Sequence, residues 1–162
     1  MKRYYITGTS SGIGLALANQ LLLKPENHVF GISRRNAIEH PRYTHHKLDL
    51  CNLAAVSDFI FPLAGDETEV VLVNNAGITL DARLQKMTES QFDKVIAVNL
   101  TGTYLCAQAQ AQQFLRQEPI EGKIINIGSM SATISNCNAS WVLRSTGRLS
   151  AQSRKIDLHS LF

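Results

Sequence analysis

Between the apolar, strand-like Tyr4-Tyr5-Ile6 and a helix-forming run from Ile13 to Leu23 lies Thr7-Gly8-Thr9-Ser10-Ser11-Gly12-Ile13-Gly14. A turn from a strand into a helix N-terminus aims backbone N–H groups and the positive end of the helix dipole at one point, which suits a diphosphate. Glycines let such a turn be sharp and let phosphate oxygens approach the main chain. The spacing of Gly8, Gly12 and Gly14 differs from the G-x-G-x-x-G of the ordinary dinucleotide fingerprint, so the flanking strand and helix carry the reading. A second candidate is Asn74-Asn75-Ala76-Gly77, directly after the continuous apolar run Val70 to Val73. Taken alone it is a β-turn sequence. It stands, however, at the carboxyl end of a strand that reads as covered on both faces, where open α/β sheets bind their ligands.

These turns need a scaffold, and the chain alternates strand and helix patterns. After the first helix, closed by Lys24-Pro25, His28 to Ser33 and His45 to Leu50 read as strands, Leu53 to Phe61 as a short helix closed by Pro62, and Val70 to Asn74 as the fourth strand. Thr88 is a predicted N-cap with Gln91 at the capping-box position of a helix reaching about Val98, and a second helix spans roughly Thr101 to Arg116. Gly122 to Gly128 is the fifth strand. Right-handed βαβ crossovers then predict a doubly wound parallel sheet of about five strands in the order 3-2-1-4-5. With 162 residues, 44% hydrophobic and 18% charged, the chain supports one sizeable core.

The net charge of +3 arises in the tail. Residues 1–137 balance their charges, whereas residues 138–162 carry Arg144, Arg148, Arg154 and Lys155 against Asp157, so no basic face for nucleic acid is expected on the folded body. Cys51, Cys106 and Cys137 are odd in number and in no ligand pattern, which predicts reduced thiols and no metal. No apolar run is long enough for a membrane helix, and the start leads directly into a strand; a soluble cytoplasmic protein is the expectation. After about Asn136 the strand-helix rhythm stops, and residues 136–162 form a Ser/Arg-rich tail set apart from a domain of residues 1–135.

The motifs in order resemble the short-chain dehydrogenases/reductases. Thr7-Gly8-x-x-x-Gly12-Ile13-Gly14 matches that family's coenzyme motif, Asn74-Asn75-Ala76-Gly77 its second motif, and Val98-Asn99-Leu100 its helix asparagine. Ile125-Asn126-Ile127-Gly128-Ser129 looks like the strand that delivers its catalytic serine. Ile78-Thr79-Leu80-Asp81 and Lys86-Met87-Thr88 are most similar to the 3-oxoacyl-carrier-protein reductase branch. The resemblance implies a Rossmann-type fold in which Gly8, Ser10, Ser11, Gly12, Ile13 and Gly14 surround the pyrophosphate and adjacent ribose. It places Asp49 and Leu50 at the adenine, and Asn75, Ala76 and Gly77 on the adenosine ribose side. Without the family, Asp49 reads as a surface carboxylate at a strand end.

Coenzyme choice turns on the end of the second strand. A carboxylate there would accept from a ribose 2′-OH, whereas a 2′-phosphate needs cationic donors. Ser33-Arg34-Arg35, with no carboxylate before Glu39, favours NADP(H) over NAD(H) through Arg34 and Arg35, although exposed arginines are also common at solvated turns.

The resemblance further implies hydride exchange with a small carbonyl or alcohol substrate, with Ser129 bonding the substrate oxygen and Asn99 holding a water in a proton relay. The family's acid, a tyrosine whose pKa a neighbouring lysine lowers, is missing. After Ser129 there is no tyrosine, and lysine occurs only at Lys155; Trp141, Arg144 and Arg148 cannot replace the acid. A shifted reading frame is one account: back-translated one way, Leu143 to Ser150 yields Ala-Gln-Tyr-Gly-Ala-Ala-Lys two nucleotides on. The sequence thus predicts an oxidoreductase by descent, impaired in this chain and homo-oligomeric. The alternatives are a non-catalytic dinucleotide-binding module, or partner of a full-length homologue, and, ranked last, a tail that binds anionic surfaces.

Overall fold

A computed structural model describes residues 1–62, 69–80, 82, 84–116 and 121–128. Ser129 and the tail 136–162, with Cys137, Trp141 and the frame-shift segment, lie outside the described residues. The elements run β1 (Lys2–Thr7), α1 (Gly12–Leu22), β2 (Asn27–Ser33), β3 (Tyr43–Lys47), α2 (Leu53–Ser57) and β4 (Glu69–Asn74). Then come a single 3₁₀ turn (Leu84–Lys86), α3 (Glu89–Ile96), a π-helical segment (Ala97–Gly102), α4 (Thr103–Arg116) and β5 (Glu121–Asn126).

All neighbouring strands pair in parallel, and the sheet order is β3-β2-β1-β4-β5, the doubly wound order the sequence predicts. Every residue of β4 is buried, and so is all of β2 except His28, which fits strands covered on both faces. On one face Ile6, Val29, Val71 and Val73 pack with Ala18 and Leu22 of α1. On the other, Tyr5, Phe30, Ile32, Val70, Leu72 and Ile124 pack with Val56 of α2 and with Cys106 and Phe114 of α4. At the amino-terminal edge, Glu69 lies between Lys2 and Lys123, and their bonds hold its carboxyl below the ordinary range.

Three boundaries differ from expectation. β3 begins two residues earlier and ends at Lys47, because Asp49 turns the chain: its Oδ1 accepts from Cys51 N–H at 2.9 Å and its carbonyl from Asn52 N–H at 3.0 Å. α2 stops at Ser57 instead of running to Phe61, since Phe59 and Phe61 turn into an edge-to-face aromatic chain with Tyr5 and His46. The helices expected on either side of Val98 are not separated; the π-helical turn joins α3 directly to α4. Thr88 caps α3 with a reciprocal bond to Gln91, as the capping-box pattern requires.

Candidate functional site

The first β-to-α junction is built by two glycines in left-handed backbone conformations, Gly8 at φ 78° and Gly12 at φ 57°. Gly8 is anchored by its N–H to the Ile32 carbonyl at 2.8 Å. Ser11, the N-cap of α1, makes no capping bond with its side chain, and the first turn carries no acidic residue. The first N–H groups of α1 have no partner within the helix, so its positive end is left for an anion. A Cβ on Gly12 would meet nothing within 4 Å, so the turn opens there. Gly14 does something different. It is buried, and a Cβ there would lie 2.4 Å from both Asn75 Nδ2 and the Gly8 carbonyl oxygen, so it lets the helix start press against the turn.

The end of β4 is laced to the end of β1. Thr7 Oγ1 accepts from Asn75 N–H at 3.0 Å and Ala76 N–H at 2.9 Å, while Asn75 Nδ2 donates to the Thr7 carbonyl at 3.0 Å. Asn74 Nδ2 donates to Asn126 Oδ1 at 2.9 Å, tying β4 to the strand that leads toward Ser129. Asn99, in the π-helical segment, uses its side chain on Ile78: Nδ2 donates to the Ile78 carbonyl and Oδ1 accepts from Ile78 N–H, both at 2.9 Å. One Nδ2–H and one lone pair of that amide remain. π-Helical turns concentrate at functional sites.

Between these parts, at the carboxyl ends of the strands, lies a cleft of about 840 Å³. Of the residues singled out in the sequence, Gly8, Ser10, Ser11, Gly12, Ile13, Arg34, Asp49, Leu50, Asn75, Ala76 and Gly77 line it. Gly14, Arg35 and Asn99 are not in its lining. Lining residues that sequence reasoning missed include Ser33, Cys51, Ile78, Thr79, Val98 and Lys94. Cys51 and Ile78 adjoin the motifs at Asp49 and Gly77 and were within reach of a wider window. Lys94 carries no such signal, because a lysine on an amphipathic helix normally faces water.

Arg34 and Lys94 against Asp49 make the charged lining of the cleft net cationic among the described residues, which suits a ligand rich in phosphate. The uncapped helix start, the open space at Gly12 and this cationic balance fit a dinucleotide pyrophosphate. The Cys51 thiol at the rim is held above its ordinary value, first by burial and then by the Asp49 carboxylate.

A glycine-rich strand-to-helix turn beside a cleft at the carboxyl edge of a 3-2-1-4-5 sheet defines the Rossmann class of α/β protein. Residues 2–141 match the family model described as short chain dehydrogenase, and the chain belongs to that family. It is 34% identical over 129 residues to the 3-oxoacyl-[acyl-carrier-protein] reductase MabA of Mycobacterium tuberculosis, covering 79% of this chain and 51% of the relative. The chain thus spans about half the length of the curated relatives it matches. Among solved structures, the aldohexose dehydrogenase of Thermoplasma acidophilum superposes with a TM-score of 0.75 at 30% identity, over 91% of this chain and 57% of that one. 4-Hydroxyisoleucine dehydrogenase complexed with NADH gives 0.76 at 25% identity, over 92% and 65%. Members of the family bind a nicotinamide dinucleotide and are oxidoreductases.

Proposed function

We propose that the cleft holds NADP(H), and that the chain derives from an oxidoreductase exchanging hydride between that coenzyme and a small carbonyl or alcohol substrate. The observation that carries the coenzyme reading is Arg34, which lines the same cleft as the glycine-rich turn at the end of β2, where no carboxylate precedes Glu39. In this reading the amides at Gly12 and Ile13 bind the pyrophosphate, Asp49 and Leu50 border the adenine, and Arg34 with Arg35 meets the 2′-phosphate. The bound coenzyme would supply or accept the hydride. Ser129 would bond the substrate oxygen, and Asn99 would hold a water of the proton relay.

Turnover in the 162-residue chain is proposed to be absent or severely impaired, since no tyrosine follows Tyr104 to serve as the acid. Self-association belongs to the same proposal: Tyr104 and Leu115 of α4 are more than half exposed, an apolar display that favours pairing. Titrating NADPH and NADH by coenzyme fluorescence, with ketone-dependent NADPH oxidation measured alongside, tests the reading. Tighter binding of NADPH with negligible oxidation is the expected result. A preference for NADH, or no binding of either at millimolar levels, would refute it.

A further inference from the structure

The turn that would select the coenzyme is tied to two side chains of β3 that belong to none of the motifs. β2 and β3 pair with Gly31 opposite His45 and Val29 opposite Tyr43, so Tyr43 and His45 share a sheet face with Gly31 and Ser33. Gly31 has no side chain, and the Tyr43 hydroxyl occupies the space: a Cβ there would stand 1.9 Å from that oxygen and 2.4 Å from Thr9 Oγ1. Through this gap Tyr43 reaches the glycine-rich turn. Its hydroxyl lies 2.8 Å from Thr9 Oγ1, Thr9 Oγ1 lies 3.4 Å from Ser33 Oγ, and Ser33 Oγ lies 2.8 Å from the Arg35 carbonyl.

Counting protons fixes the direction of this chain. A carbonyl can only accept, so the single Ser33 O–H goes to Arg35; Ser33 Oγ then accepts from Thr9, and Thr9, its own hydrogen used, accepts from Tyr43. Burial keeps the Tyr43 phenol protonated by raising it above its ordinary value. His45 Nε2 is 3.1 Å from both Ser33 Oγ and the Ser33 carbonyl oxygen, and the second partner requires that Nε2 carry a hydrogen. Thr9 is fully buried and Ser33 nearly so, which leaves little water to replace a lost bond. Neither Tyr43 nor His45 lines the cleft.

We infer that Tyr43 and His45 are positioning residues for coenzyme selection: through Thr9 and Ser33 they fix the Ser33-to-Arg35 turn against the glycine-rich turn and thereby hold Arg34 at the cleft. This rests on the NADP(H) reading. The weakest link is the 3.4 Å contact between Thr9 and Ser33, and the His45 bonds hold the turn in parallel with it.

The test compares binding of NADPH, NADH and adenosine 2′,5′-bisphosphate to the full chain and to Tyr43→Phe, His45→Leu and His45→Gln. Losing one such bond should weaken the two 2′-phosphorylated ligands about three- to tenfold in Tyr43→Phe and His45→Leu, with NADH within about twofold of the parent. His45→Gln keeps an N–H donor and should recover most of the loss. A merely structural role would weaken all three ligands together, and that outcome, or unchanged NADPH binding, overturns the inference alone. A parent chain that does not prefer NADPH overturns the coenzyme reading and this inference with it. Tyr43→Phe removes only a hydroxyl, so it decides the matter even where His45→Leu fails to fold.

Discussion

Ala76 donates its backbone N–H to Thr7 Oγ1 at 2.9 Å, so the hydroxyl that ends β1 holds the main chain leaving β4. The same oxygen accepts from Asn75 at 3.0 Å, and Thr7 is 1% exposed. Thr7→Val keeps the shape and strands two amide hydrogens, for an expected loss of about 2–4 kcal/mol in urea unfolding. Thr7→Ser should lose far less. Equal stability of the valine variant and the parent would contradict this clamp.

Gly12 and Gly14 should fail for different reasons. Gly12→Ala places a Cβ in open space at φ 57°, so its cost is backbone strain of about 1–2 kcal/mol. Gly14→Ala drives a Cβ to 2.4 Å from the Gly8 carbonyl oxygen, part of the turn itself, and should abolish coenzyme binding. Thermal melts and coenzyme titrations of the two variants separate strain from collision; a Gly14→Ala chain that still binds tightly would rule out the packing role.

His46 should make the fold acid-sensitive. Its ring lies between Phe30 and Phe59, its Nε2 is buried without a partner, and burial, with adjacent His45, holds it below the ordinary value of 6.5. A histidine kept neutral in the folded state contributes stability that is complete above 6.5 and is lost as the pH falls through its lower native value. The urea midpoint should therefore drop between neutrality and mild acid, and His46→Phe should flatten that slope. A parallel slope in both proteins would count against His46 as the source.

The thiols should report on the cleft. Cys106 is 2% exposed and pushed up to about 12 by burial, so alkylation should wait for unfolding. Cys51 is exposed at the cleft and should react slowly, its thiol held protonated, and more slowly still with saturating NADPH. Peptide mapping after iodoacetamide checks both; unchanged Cys51 labelling with coenzyme present would place the ligand elsewhere.

The parallel sheet was legible because its strands write themselves as apolar runs: Val70 to Val73 and Val29 to Ile32 are buried on both faces. The glycine-rich turn was legible because its positive φ angles demand glycine. Gly31 was not, since it sits inside a strand with ordinary φ, and its reason is a tyrosine hydroxyl that reaches it from the neighbouring strand. β3 was misplaced because Leu48 and Leu50 are apolar in sequence yet lie past the turn set by Asp49, where Leu50 still packs inward. Lys94 was missed because only the folded chain brings it beside the Asp49 turn.

The π-helical segment is equivalent to one surplus residue wound into an otherwise regular rod. Removing a residue between Ala97 and Gly102 would restore ordinary pairing there and swing everything downstream by about 100°. Cys106, Gln110 and Phe114 would rotate off the sheet, with Leu115 brought toward it. Local relief would come at the expense of global phase, so length in this stretch should be far less tolerant than identity.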